Sequence, residues 1–249
     1  MAKVGIIGGS GLDDPAILEG ATDVEVATGY GKPSSPLRVG TIAGVSVALL
    51  ARHGREHTIP PTHVNYRANI RALKDAGCTH ILATTAVGSL REEIRRGDLV
   101  VLDQFIDFTR LRPVSFHDEF VPGRAAHTPM ADPFDEGLRN TLNACAGRLG
   151  HRHHPGGTVV TIEGPRFSTK AESRMFRMWG ADVVNMSTAP EAILAAEAGV
   201  PYAAVAMSTD YDCWKEDEEP VSWEAIVAIF AENVEKVIGL LLKAIPKIR

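Results

Sequence analysis

Short apolar runs that end in glycine or a polar turn alternate along this chain with segments of helical period, and that alternation restricts it to α/β architectures. The first run, Lys3–Gly8, reads as a buried strand closing on Gly8-Gly9-Ser10-Gly11. Leu37–Ile42 and Val45–Leu50 flank Ala43-Gly44 and read as a hairpin. A helix is expected from His63 to Ala76, stopped by Gly77, and the next strands are Thr79–Thr84 and Asp98–Gln104. Phe105 to Pro133, rich in Pro, His and polar residues, reads as a long irregular loop; such loops are usually functional or disordered. Beyond it come a helix over Pro133–Leu149, a strand over Gly157–Glu163, a helix over Thr169–Trp179 and a strand over Tyr202–Met207. Thr169-x-x-Glu172, Thr188-x-x-Glu191 and Ser89-x-x-Glu92 each fit a capping box and place helix starts directly after strand ends. The last helix, Ser222–Ala244, carries an apolar stripe through Ile226, Phe230, Val234, Val237 and Leu241. No linker or repeat divides residues 1–249, so a single domain is expected.

Composition narrows the function. With 45% hydrophobic and 23% charged residues the composition is that of an ordinary globular protein and excludes a disordered chain. No apolar run approaches the roughly 20 residues of a membrane span, and the first residues lack the form of a signal peptide, so a cytoplasmic protein is expected. A net charge of −5 argues against non-specific nucleic-acid binding. Cys78, Cys145 and Cys213 are far apart, which supports neither a disulfide framework nor a Cys-type zinc site. His53 and His57 stand four apart, but Pro60-Pro61 opposes a helix there and H-E-x-x-H is absent, so no metal is expected. His151-Arg152-His153-His154, before Pro155-Gly156-Gly157, reads as a solvated loop. G-x-G-x-x-G, the Walker loop and G-x-S-x-G are all missing.

What remains is a set of turns suited to an oxyanion. Gly8-Gly9-Ser10-Gly11 lets backbone N–H groups approach an anion beside a hydroxyl. Arg52-His53-Gly54-Arg55 follows a strand and offers the planar donor fork that matches phosphate. Thr84-Thr85-Ala86-Val87-Gly88-Ser89 reads as a third cradle, at a strand-to-helix turn. Three such turns can converge at the carboxyl edge of one sheet, where open α/β proteins bind ligands. Asp210 and Asp212 alternate after the last strand; if the chain stays extended, both carboxyls face one pocket, where one can hold a proton as general acid.

Taken in order, Gly8-Gly9-Ser10-Gly11-Leu12, Arg52-His53-Gly54, Asn65-Tyr66-Arg67-Ala68-Asn69, Thr85-Ala86-Val87-Gly88-Ser89, Glu163-Gly164-Pro165-Arg166-Phe167, Asn185-Met186-Ser187-Thr188-x-Pro190-Glu191 and Ser208-Thr209-Asp210-Tyr211-Asp212-Cys213-Trp214 span nearly the whole chain. The set resembles the trimeric purine nucleoside phosphorylases, and within them the branch that cleaves 5′-methylthioadenosine. The resemblance implies an α/β domain with a distorted mixed central sheet flanked by helices. It also implies a homotrimer and a phosphorolysis without metal or organic cofactor: inorganic phosphate is a co-substrate, and the products are adenine and 5-methylthioribose 1-phosphate. By the same likeness Ser10, Arg52, His53, Thr85, Ala86 and Ser187 would hold phosphate, and Met186 would lie against the ribose. Phe167 and Ser168 would line the base pocket, with Asp210 and Asp212 as the catalytic pair on the base. Trp223 would reach the 5′ side of the sugar, and His127 would enter a neighbouring subunit's site. Family members that act on 6-oxopurines carry Asn and Glu where this chain has Asp210 and Ser168, which implies adenine here. The residues alone leave open a phosphorylase of broader 5′ or 6-oxopurine range, a hydrolytic nucleosidase, and a nucleotide-binding module without catalysis.

Overall fold

The alternation of runs closes into one mixed sheet, covered on both faces. In a computed structural model of the chain, residues 2–8, 17–216 and 223–249 are described, 223–228 and 230–232 of them by backbone alone. The strands are β1 (Lys3–Gly8), β2 (Glu19–Val24), β3 (Leu37–Ile42), β4 (Val45–Ala51), β5 (His80–Ser89), β6 (Leu99–Val101), β7 (Gln104–Phe108), β8 (His153–His154), β9 (Thr158–Ile162), β10 (Val183–Asn185) and β11 (Tyr202–Tyr211). The helices are α1 (Tyr66–Asp75), α2 (Glu136–Arg148), α3 (Lys170–Met178), α4 (Thr188–Glu197) and α5 (Trp223–Ala244).

The sheet runs β2-β3-β4-β1-β5-β10-β9-β7 and branches at β5, where β11 also pairs and carries β6 and then β8. β5 serves β1 along its first half, β10 through Gly88 and Ser89, and β11 over nearly its whole length. That triple use makes the mixed sheet branch at β5. Alternation along the strands splits the core in two. Ile7, Leu50 and Ile81 face α1 and α4, through Tyr66, Ile70, Leu73 and Leu194. Val4, Ile6, Leu82 and Val205 face α2 and α5, through Leu138, Leu142, Leu240 and Leu241. A smaller cluster seats α3 by Phe176 on Val160 of β9 and Val184 of β10.

Local signals set most boundaries. Asn65 caps α1 by accepting from the Ala68 N–H, so the helix begins three residues later than expected, after a 3-10 turn at Pro61–His63. Asp135 caps α2 likewise, and Thr169 and Glu172 form the full capping box at α3.

Four expectations are corrected. β5 does not stop at Thr84: the segment read as a strand-to-helix turn continues as strand, because β11 and β10 satisfy its backbone. No helix follows; the Ser89 hydroxyl accepts from the Arg91 N–H and donates to the Arg91 carbonyl, a tight hydroxyl turn in place of a capping box. Asp98–Gln104 is not one strand, since β6 pairs with β11 whereas β7, which takes in Phe105–Phe108 of the expected loop, pairs with β9. The histidine tract is not a solvated loop: His153–His154 pairs with β6, and His154 Nε2 lies 2.9 Å from Asp98 Oδ2.

Candidate active site

The carboxyl ends of β4, β5, β10 and β11 and the turn after β9 enclose a cavity of about 480 Å³. At one end stands Arg52, just past β4 and 2% exposed. Its Nε and one Nη donate to the two carboxylate oxygens of Glu191, and the other Nη donates to the Thr84 carbonyl at 2.9 Å. The Tyr202 hydroxyl donates to Glu191 as well, at 2.9 Å. Burial by itself would lower the Arg52 pKa, but the Glu191 carboxylate more than offsets this and holds the guanidinium firmly charged. This pairing explains the missing capping box at α4. A buried cation left without its carboxylate costs several kcal/mol, against about 1 for a cap, so Glu191 turns to Arg52.

Ser187 precedes α4 as its N-cap residue, makes no side-chain cap bond, and lines the cavity. The leading N–H groups of a helix are an anion-binding device. Asn185 fixes this corner, donating to the hydroxyls of Thr85 (3.1 Å) and Thr188 (2.5 Å) and accepting from Thr161 (2.9 Å). The Thr85 hydroxyl also donates to the Ala86 carbonyl, so it is engaged within the protein. His53 turns Nδ1 to the Ile59 carbonyl at 2.9 Å, and burial, with Arg52 beside it, pushes its pKa down to about 4. The ring is thus neutral at physiological pH. His57, at φ 53°, lies with its ring 4.6 Å from that of His53.

The middle is floored by Met186. Gly164 sits at φ 65°, and a Cβ there would stand 2.4 Å from Met186 Sδ, so the position requires glycine. Arg112, from the long loop, fixes the same corner by donating to the carbonyls of Glu163 and Met186 and to the carboxylate of Glu163.

The other end holds the aspartates. β11 has a bulge between Ser208 and Asp210, where Thr209 is the extra residue. Bulges of this kind re-aim side chains next to sites, and beyond it Asp210 and Asp212 both line the cavity. Burial raises the Asp210 carboxyl to a pKa of about 6, although Thr209 donates to it at 2.8 Å. Asp212 is also raised by burial, an effect opposed by the nearby Ser173 and Ser168 hydroxyls. Asp212 Oδ2 and both hydroxyls are buried without completing a close hydrogen bond to a described residue. Polar atoms in that condition are what a polar ligand edge would satisfy. Gly88 lets the carboxylates pack against β5, since a Cβ there would lie 3.1 Å from Asp210 and 3.4 Å from Asp212.

Of the residues singled out in the sequence, Arg52, His53, Thr85, Ala86, Phe167, Ser168, Met186, Ser187, Asp210 and Asp212 line this one cavity. His127 does not; it is exposed on the long loop, its ring 5.7 Å from that of Phe120. Ser10 and the side chain of Trp223 lie outside the described residues. Sequence reasoning missed Arg112 and the pairing role of Glu191. The Glu191 signal was present, since a buried-site arginine demands a carboxylate.

A buried arginine and two buried acids that line one cavity at the strand ends of a mixed α/β sheet mark a site for a small molecule. The sequence pattern of the phosphorylase superfamily matches residues 3–246, and the chain belongs to that superfamily. It is 60% identical over 250 residues to the S-methyl-5'-thioadenosine phosphorylase of Xenopus tropicalis, covering 99% of this chain and 89% of that protein. The enzyme of the same name from Danio rerio is 58% identical, with the same coverage. Among solved structures, the methylthioadenosine phosphorylase of Schistosoma mansoni in complex with adenine superposes with a TM-score of 0.94 at 44% identity, covering 99% of this chain and 92% of that one. A mutant of the Schistosoma mansoni adenosine/methylthioadenosine phosphorylase in complex with methylthioadenosine gives 0.93 at 43% identity, covering 99% of this chain and 91% of that one.

Proposed function

We infer that this chain catalyses phosphorolysis of 5′-methylthioadenosine to adenine and 5-methylthioribose 1-phosphate. The observation that carries the reading is one cavity lined by a buried arginine and two buried carboxyls, in a chain 60% identical to an enzyme of that name. Arg52, His53, Thr85, Ala86 and Ser187, with Ser10, take the phosphate; Met186 lies under the ribose; Phe167 and Ser168 flank the base. A phosphate oxygen attacks the anomeric carbon as its bond to N9 of the base breaks. The electron pair passes into the purine, and Asp210 gives its proton to N7. Asp212 accepts from the 6-amino group. Because Glu191 already neutralises Arg52, the charge of the bound phosphate stays available to the cationic sugar. No metal or organic cofactor enters this scheme.

By the family likeness Trp223 is assigned the 5′ side of the sugar, where an indole disfavours a hydroxyl. His127 completes the site of a neighbour in a homotrimer, a role suited to an exposed ring on a loop whose base is held by Arg112 and by Glu197, which accepts from Ser115 and Phe116. No described helix is long and apolar enough to cross a membrane. A substrate series at saturating phosphate tests the assignment. Methylthioadenosine should exceed adenosine by roughly 10–200-fold in kcat/KM, and its 6-oxo counterpart by at least about tenfold. Equal rates on all three would remove both the base and the 5′ assignments.

A further inference from the structure

The two aspartates are aimed by different means. The Thr209 hydroxyl holds the Asp210 carboxylate at 2.8 Å, whereas Asp212 Oδ2 completes no close hydrogen bond to a described residue. The groups near the Asp212 carboxylate are the Ser168 and Ser173 hydroxyls and the N–H of Cys213, its own chain neighbour, so its direction follows the backbone that carries it. That backbone leaves β11 after Tyr211 and turns. The Asp212 N–H donates to the Ser89 carbonyl at 3.0 Å, and the Lys215 N–H closes the turn on the Asp212 carbonyl at 3.3 Å. Trp214, inside the turn, sends its indole N–H back to the same Ser89 carbonyl at 2.8 Å. A carbonyl oxygen has two lone pairs, and here both donors come from one turn and pin it to the end of β5. We propose that Trp214, which does not itself line the cavity, is a positioning residue for base choice: by fastening this turn to Ser89 it holds Asp212 where the carboxylate meets the 6-amino group. The proposal rests on the base assignment above and deepens it.

The indole is held on two sides. The Arg177 guanidinium, from the last turn of α3, stands 3.6 Å from its ring centroid, and Tyr211 meets it edge-on at 6.0 Å. The ring also packs on the small apolar cluster that contains Val184, a residue of the cavity wall. Trp214 thus joins the end of β5, the end of α3 and the segment after β11. The two aspartates depend on this joint unequally. Asp210 lies within β11 and is held by its pairing with Gly88; Asp212 lies beyond the strand, in the turn that Trp214 fastens. Loosening the turn therefore weakens a contact made alike to substrate, transition state and free adenine, which raises KM and leaves kcat nearly as it was. A displaced Asp210 would instead lower kcat, because proton transfer to the base occurs only in the transition state.

Trp214→Phe in the full chain tests this. It keeps a ring under Arg177 and removes the donor, and the Ser89 carbonyl retains the Asp212 N–H, so no buried group loses its last partner. At saturating phosphate, KM for methylthioadenosine should rise by about tenfold with kcat within about threefold, while the 6-oxo counterpart loses less than about threefold in kcat/KM. Calorimetric titration should show adenine, with phosphate present, bound about tenfold more weakly, and phosphate bound as before. Arg177→Gln withdraws the cation from the ring and leaves the indole N–H in place; it should lower the preference for the 6-amino substrate by about threefold. If Trp214→Phe does not fold, Arg177→Gln decides the matter. A 6-amino to 6-oxo ratio unchanged in the folded variants, an equal loss on both substrates, or a fall in kcat at constant KM overturns the proposal. A failure of the reading it rests on would show in the unaltered protein instead, as no phosphate-dependent release of adenine or as equal rates on the two substrates.

Discussion

Asp210 shows how one residue can be bad for the fold and good for the chemistry. Its carboxyl titrates at about 6 in the fold against an ordinary 3.8, chiefly through burial. Between those values the native state binds more protons than the unfolded chain. The folded protein is therefore favoured below the lower value and loses that advantage as pH rises through 6, by up to about 3 kcal/mol. Asp210→Asn keeps the shape and removes the charge. At pH 8 it should raise the thermal midpoint while lowering adenine release by about 10²–10⁴, the span of general acid catalysis. Scanning calorimetry and a turnover assay on the same preparation check both signs. A variant of unchanged activity would move leaving-group protonation to another residue. Arg52 is the opposite case: its burial is matched by Glu191, so its charge persists at every working pH.

Elements turn these residues toward one another, and β5 does most of it. Three strands pair with it, and its last residues pass directly under the aspartates. Gly88→Ala would place a methyl group 3.1 Å from Asp210, 3.2 Å from Val184 and 3.4 Å from Asp212. Kinetics of the variant should show a loss of roughly 10²-fold in kcat/KM for the nucleoside, the scale of a small misplacement in a catalytic geometry. Far-UV dichroism should stay native, and a fully active variant would mean the aspartates do not depend on this approach. The sequence displayed much at this scale. Apolar period and glycine stops located the first strand, the hairpin, α3 and α5, and alternation correctly put Asp210 and Asp212 on one cavity. It concealed β10, three residues long and recognisable only by its partners, and β2, a largely exposed edge with a polar composition. It misled at Thr85–Ser89, where small and hydroxyl residues imitate a turn although two neighbouring strands hold them extended. It misled again at Thr188 and Glu191, where a local capping pattern lost to a long-range ion pair. The cavity residues were legible because their types carry chemistry. Arg112 was not, since its partners, the Glu163 and Met186 carbonyls and the Glu163 carboxylate, are brought to it only by the fold.

At the scale of the whole molecule, one branched mixed sheet brings the residues for two small molecules to a single cavity. If His127 serves a neighbouring site, sedimentation at working concentration should give three times the chain mass of 26.8 kDa, and a fully active monomer would exclude a shared site. The central claim is that the arginine end of the cavity holds the attacking nucleophile. The most direct test is release of adenine from methylthioadenosine by purified protein in phosphate-free buffer, repeated after phosphate is added back. The account predicts no turnover above background without phosphate, and on adding it one 5-methylthioribose 1-phosphate for each adenine released. Equal turnover in both buffers, with free methylthioribose as the product, would make water the nucleophile and contradict it.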